Sequence, residues 1–316
     1  MTIRIASMVA VSVACVCVAP FIGESLDGDE ARFILVSLRI PRVVLAILVG
    51  GTLGLVGACY QTVLANPLAT PSTVGTTGGA TLGALIAIMS GASSPVSGVP
   101  LTTLAAFAGA LFVTMIITSI ASTGRARTAD ILLAGIAISL ALAAASTGFQ
   151  FFSDNRDLAA GVRWSLGDLS QIDYDELFIL LPFLVPTALI LLYQTRALEA
   201  LVTGEQRAHS QGVDVGYVRS LTLGIGALGV GACVALCGPI AFVGLIVPHL
   251  VRLSMGASRR ILLPMSFVFG AAFLALCDAV ARVSAPHSEL PVGVVTAAIG
   301  APALTWLVVR SSRAVN

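Results

Sequence analysis

The sequence contains no lysine, so all seventeen of its basic residues are arginines. A phosphate-cradling P-loop of the form GxxxxGK[ST] needs the lysine that reaches the terminal phosphates. The chain therefore has no Walker A motif and no ATP-hydrolysing machinery of its own. Charge of either sign is scarce: 10% of the 316 residues are charged, against about 25% in an ordinary soluble domain. So few charges do not cover a water-soluble globule, although they do cover the two ends of a helix bundle. The net charge of +1 gives no reason to expect a nucleic-acid partner. Histidine is rare as well. His209, His249 and His287 lie on separate stretches, none within HExxH, and no GxSxG elbow occurs. No catalytic residue is expected. The six cysteines (Cys15, Cys17, Cys59, Cys233, Cys237, Cys277) form neither a CxxC pair nor a Cys/His cluster of zinc spacing. All sit in apolar runs and read as small packing residues.

Apolar sequence is what the chain has. Hydrophobic residues make up 57% of it, with a mean hydropathy of +0.99. Crossing a bilayer takes roughly 20 mostly apolar residues as a helix, because lipid offers the backbone no partners. About ten such spans are predicted, at 5–22, 41–64, 72–90, 100–121, 130–152, 174–195, 217–237, 240–254, 260–283 and 292–310. The eighth is short and contains Pro248, which favours a tilted or broken helix. The expectation is an all-α integral membrane protein with one transmembrane domain over residues 1–316. With both termini on the cytoplasmic side, eleven of the seventeen arginines fall there, among them Arg125, Arg127, Arg196, Arg259 and Arg260. That bias fits the positive-inside rule. The acidic residues cluster on the other side, at 24–30 and 154–176. Arg4 and the apolar run behind it also suit a signal peptide, but no clear small-residue cleavage site follows, so a retained anchor is expected.

Glycine falls at helical spacing in two spans, Gly50, Gly54 and Gly57 in the second and Gly224, Gly226, Gly229 and Gly231 in the seventh. Small residues at this spacing let helix backbones approach closely in lipid. GLVGAC (54–59) followed by NPLATPSTVG (66–75) is echoed by GVGAC (229–233) followed by GPIAFVG (238–244), in segments that cross the membrane in opposite directions. This suggests two inverted-topology repeats, spans 2–5 and 7–10, with the pathway at their interface. Asp278 is the one acidic residue deep in a predicted span. Arg282 lies four residues on along the same face, so a local ion pair is expected. The polar stretch 195–219 between spans six and seven is long for a bundle connection, and breaks at Gly204 and Gly212 divide it into helical pieces that suit docking of another protein.

Several stretches, in order, resemble the permease subunits of bacterial FecCD-type (type II) ABC importers, which serve iron-siderophores, haem and cobalamin. They are RIPR (39–42), LVGGTLGLVGACYQTVLANPLATPSTVGTTGGATLGA (48–84), LLAGIAIS (132–139), WSLGDLS (164–170), GEQRAHSQGVDV (204–215), GPIAFVGLIVPHLVRL (238–253), CDAVAR (277–282) and ELPVGVVTAAIGAPALTWL (289–307). The resemblance covers about residues 33–310. It implies a permease of the bacterial inner membrane, paired with a second copy or a paralogous permease. It also implies a cytoplasmic ABC ATPase and a periplasmic or lipid-anchored substrate-binding protein. Matching positions imply that Arg39, Arg42 and Arg282 dock the binding protein, where rim charges set register and on-rate. They further imply that Asn66, Leu68 and Thr128 form the cytoplasmic constriction. Within a coupling segment at 196–216, Gly204, Glu205, Ala208, Gly212 and Val213 match the ATPase-contacting motif, while Gln206 and Arg207 depart from its usual alanine pair. PSTVGTTGG (71–79) favours a ferric siderophore as cargo, with haem or cobalamin as the alternative, and a proton-coupled secondary transporter as the reading from a different class. No cofactor or protein-bound metal is implied, because the metal travels inside its chelate.

Overall fold

A computed structural model describes residues 2–23, 32–91, 99–122, 127–170, 174–284 and 289–313. Arg125, His287 and the acidic run at 24–30 lie outside these. The described residues form thirteen α-helices: α1 Thr2–Val18, α2 Ile40–Val63, α3 Thr76–Met89, α4 Leu101–Ser122, α5 Thr128–Phe151, α6 Asn155–Ser165, α7 Tyr174–Tyr193, α8 Thr195–Val202, α9 Glu205–Ser210, α10 Val215–Cys237, α11 Val243–Met255, α12 Arg259–Val283 and α13 Val292–Arg313. Six are long and apolar enough to span a membrane: α2 with the turn before it, α4, α5, α7, α10 and α12. Four shorter apolar helices, within α1, α3, α11 and α13, bring the apolar segments to the ten expected.

Two span boundaries and one extra helix depart from expectation, each for a local reason. The second span begins earlier, with a π-type turn at Ile34–Arg39 running into α2. Pro41 has no N–H to donate, and the wider turn before it accommodates that loss. The third span begins at Thr76 instead of 72, because hydroxyl groups satisfy the backbone of 70–73 as a turn: the Thr70 N–H donates to Thr73 Oγ1 at 2.9 Å, and Thr73 Oγ1 donates to Thr70 O at 2.8 Å. α6 was not anticipated, since its composition is too polar for a span.

The repeat is visible in the packing. The first helix of each half lies along the third helix of the other, α2 on α12 and α10 on α4. The short second helices exchange in the same way, α11 against α2 and α3 against α10. Within each half, the second helix also meets the third and the fourth (α3 with α4 and α5, α11 with α12 and α13). The two halves thus bury one another's apolar faces. The glycine spacing makes the approach possible. A Cβ at Gly50 would overlap the Gly270 carbonyl and one at Gly54 the Ser266 carbonyl, both on α12. α5 is the most exposed of the six long helices, and carries Leu133, Ile136 and Leu140 on its open face.

Candidate functional site

Each half of the bundle contains an irregular break before its short second helix. Among the described residues, only two other than glycine take a positive φ: Ala65 (+46°) in the first break and Phe242 (+67°) immediately before α11. Gly75 (+91°) precedes α3 in the equivalent place. Left-handed backbone at a phenylalanine is uncommon and persists only where the surroundings enforce it. Irregular chain at membrane depth must also satisfy its own polar groups. In the first break, Asn66 Oδ1 accepts the Leu68 N–H at 2.8 Å, and Ser139 of α5 donates to Ser72 O at 3.0 Å.

The second break is held by three glycines distant in sequence. A Cβ at Gly167 would overlap the Pro239 carbonyl at 2.5 Å, one at Gly238 the Trp164 carbonyl, and one at Gly293 the Leu166 carbonyl. The Asp168 N–H also donates to Cys237 O at 2.8 Å. WSLGDLS, GPIAFVG and ELPVG, which look unrelated in the sequence, are therefore one packed unit.

Between the two breaks lies a cavity of about 270 Å³. Leu68, Thr70, Ser72, Thr73 and Thr77 line it from the first half, and Pro239, Ile240, Ala241 and Phe242 from the second. Apolar surface with a few hydroxyls offers weak, exchangeable hydrogen bonds and no fixed charge. Leu68 lines this cavity and is half exposed, whereas Asn66 shapes the turn leading to it. Thr128 opens α5, and of the three expected constriction residues Leu68 is the one that lines this cavity.

Behind the second break, α11 carries Pro248, which leaves the Gly244 carbonyl without its helical partner. Gln61, buried on α2, donates Nε2 to Gly244 O and to Leu245 O, each at 3.3 Å. Arg252 in turn donates to Gln61 Oε1 at 2.9 Å. The sequence signal for this tie was Pro248 inside a short span.

The three expected docking arginines gather at one end of the bundle. Arg42 is 6% exposed. Its Nε meets Asp278 Oδ1 at 2.7 Å, and its Nη1 pairs with Glu289. Arg282 Nε lies 3.3 Å from Asp278 Oδ2 and its Nη2 donates to Ala19 O at 2.7 Å, while Arg39 Nη1 donates to Pro20 O at 3.4 Å. The expected Asp278–Arg282 pair is present, within a larger cluster that also fastens the end of α1. Glu289, half exposed, is the member that residue-by-residue reading missed.

At the opposite end, α8 and α9 meet at Gly204, whose φ of +107° and ψ of 148° suit glycine. Glu205, Gln206, Arg207, His209 and Gly212 (φ +80°) are exposed, while Ala208 is buried and its carbonyl accepts the Val213 N–H at 3.0 Å. Arg219, buried at the start of α10, pairs with Glu205 and donates Nε to Val63 O at 3.4 Å. This one side chain connects the helical connector to the end of α2, just before the first break. Glu199 of α8 caps α12, accepting the Arg259 N–H at 2.5 Å.

Comparison with known proteins gives concordant results. The model of the FecCD transport family matches residues 2–310. The hemin transport system permease HmuU of Yersinia pestis is 37% identical over 284 residues, covering 90% of this chain and 85% of that protein. The cobalamin import permease BtuC of Halobacterium salinarum is 39% identical, covering 88% and 74%. The vitamin B12 import permease BtuC of Vibrio parahaemolyticus is also 39% identical, covering 96% and 90%. A solved inward-facing structure described as a metal-chelate type ABC transporter superposes with a TM-score of 0.88 at 26% identity, covering 98% of this chain and all of the other.

Proposed function

The chain belongs to the FecCD transport family, and we propose that it carries a metal-centred tetrapyrrole, a haem or a cobalamin. It is a multi-pass membrane permease of an ABC importer, a transport component rather than an enzyme. The observation that carries the cargo assignment is the run of relatives at 36–39% identity over most of both chains, named as hemin and vitamin B12 permeases. The expected ferric siderophore finds no such support among them and takes second place.

The working unit of this proposal is a pair of permeases, with an ABC ATPase on the α8–α9 side and a substrate-binding protein at the Arg42 end. Both termini would then lie on the ATPase side, which is the cytoplasm. Support for the pairing comes from size and exposure. The cavity in one chain, at about 270 Å³, lies below the roughly 300–1,000 Å³ of ordinary small-ligand pockets, and the open face of α5 leaves room for a second copy. Thr128 at the start of α5 would meet the constriction in the pair. The exposed Glu205, Gly212 and their neighbours form the face offered to the ATPase, with Ala208 and Val213 packed beneath it. Through Arg219 and Val63, movement of that face reaches the first break. Arg42 and Arg282 are tied within the bundle, so in docking they would act chiefly through the field of the cluster, with Arg39 nearer the rim.

The test is ATP hydrolysis in lipid nanodiscs by this chain with its genomic partner ATPase, adding the binding protein loaded with haem, cobalamin or a ferric siderophore. Stimulation by a tetrapyrrole-loaded binding protein, and not by the siderophore-loaded one, is expected. Stimulation by the siderophore alone would overturn the assignment. With the same components sealed into proteoliposomes, Gly204→Ala is expected to lower transport per ATP hydrolysed several-fold without loss of folded protein. A Cβ there meets nothing within 4 Å, so the penalty is confined to the backbone, at roughly 1–3 kcal/mol. An unchanged ratio of transport to hydrolysis would remove Gly204 from coupling.

A further inference from the structure

We propose that the groove between the end of α7, the start of α8, the start of α10 and the start of α12 binds the headgroup of an acidic phospholipid. The groove encloses about 820 Å³. Its floor is apolar, built from Ile190, Leu192, Val218 and Leu221, with two tyrosines, two arginines and Gln194 around it. Tyr193 and Tyr217 are 90% and 64% exposed. Tyrosines of this kind, apolar in body and polar at the tip, collect where a bilayer meets water.

The charges in this groove are unspent. Arg196 and Arg260 both line it, both are exposed, and neither makes an ion pair with any described residue. Their acidic neighbour Glu199 is already used, its carboxylate accepting the Arg259 N–H at 2.5 Å and lying 3.4 Å from Ser258 Oγ. Two guanidinium groups over an apolar floor give two kinds of recognition at once. The forks donate to phosphate oxygens in parallel pairs, and the floor takes the first methylenes of the acyl chains. Basic pockets between spanning helices at a membrane surface suit anionic headgroups for this reason.

Gln194 gives an independent indication. It is 7% exposed, its Oε1 accepts from Thr222 Oγ1 at 3.0 Å, and its buried Nε2 has no partner. A buried amide donor left unmatched costs stability. A headgroup or glycerol ester oxygen in the groove supplies the missing acceptor. Because α8 leads directly into α9, a lipid seated here would brace the segment proposed to meet the ATPase. The lipid site does not depend on which cargo the permease carries.

The test is native mass spectrometry of the whole importer, released from nanodiscs containing equal amounts of phosphatidylglycerol and phosphatidylcholine with the same acyl chains. The wild type should retain phosphatidylglycerol about tenfold over phosphatidylcholine. Arg196→Ala with Arg260→Ala should abolish that preference, while Arg196→Lys with Arg260→Lys should keep most of it. Arg156→Ala, an exposed arginine on α6 at the far end, should leave it unchanged. Equal retention of the two lipids by the wild type would overturn the proposal, as would a preference that survives the double alanine variant. Displacement of phosphatidylglycerol by millimolar inorganic phosphate would also overturn it, by showing that a free anion and not the lipid is what the groove selects.

Discussion

Replacing Asp278 with alanine is expected to cost the folded permease roughly 3–5 kcal/mol, the range found when one partner of a buried ion pair is removed. Asp278 is fully buried on α12. It faces Arg42 of α2 at 2.7 Å and Arg282 of its own helix at 3.3 Å. Its loss strands two guanidinium groups whose side chains are only 7% and 6% exposed. Little water reaches them and the half-exposed Glu289 neutralises at most one. The readout is thermal unfolding of the purified chain in detergent, with Glu289→Gln expected to shift the midpoint much less. A double-mutant cycle between Arg42→Met and Asp278→Leu separates pairing from bulk packing. The double variant should be more stable than the sum of the singles implies, because it leaves one fewer uncompensated buried charge. If Arg42 and Arg282 served only to dock a partner, Asp278→Ala would free them and leave the midpoint where it was.

That cluster shows where sequence reading stopped. Asp278 and Arg282 were legible as a pair, since four residues on a helix place two side chains on one face. Arg42 is 236 positions from Asp278, and no spacing rule connects them. The ten apolar segments were legible because lipid imposes length and composition on every one. The repeat was legible as a short echo, GLVGAC and GVGAC, although its strongest expression is the exchange of packing partners, which a single chain of letters does not display. The two breaks were half legible. Asn66–Pro67 announces the end of a helix, whereas the left-handed Phe242 has no local signature. Its side chain lies against Gly300 of α13, where a Cβ would strike Phe242 Cβ at 2.5 Å, a contact that exists only in three dimensions. The amphipathic α6 escaped because it is polar enough to pass for a loop. The helical pieces on either side of Gly204 were read correctly, since the breaking residue and the turns of good helix formers are contiguous there.

The glycines of the two long repeat helices look alike in the sequence, and the structure divides them sharply. A Cβ at Gly57 would lie far inside the Gly244 carbonyl, where α2 crosses the first turn of α11. That neighbour is backbone, anchored by Gln61 and followed by Pro248, so it has no rotamer to change. Gly57→Ala is therefore expected to separate α2 from α11 beside the cavity, and to do so at a cost at or above the usual 1–3 kcal/mol of overpacking. Uptake of the cargo by cells relying on this importer should fall at least about tenfold, with a lowered unfolding midpoint in the purified protein. At Gly226 the nearest atom is Cε1 of Tyr60, at 2.6 Å. That ring is fully buried and its hydroxyl donates to Leu223 O at 2.7 Å, so alanine there should cost an intermediate amount. Gly224 is the control. Its Cβ would meet only Thr118 Cγ2 at 3.8 Å, ordinary van der Waals contact. Gly224→Ala should thus be neutral, or slightly stabilising through better helix propensity. The order Gly57, Gly226, Gly224 follows from what each Cβ meets: rigid backbone, a buried ring, or a methyl at ordinary contact distance. A series in which all three alanines behaved alike would mean that α2 and α11 do not approach as closely as this packing requires.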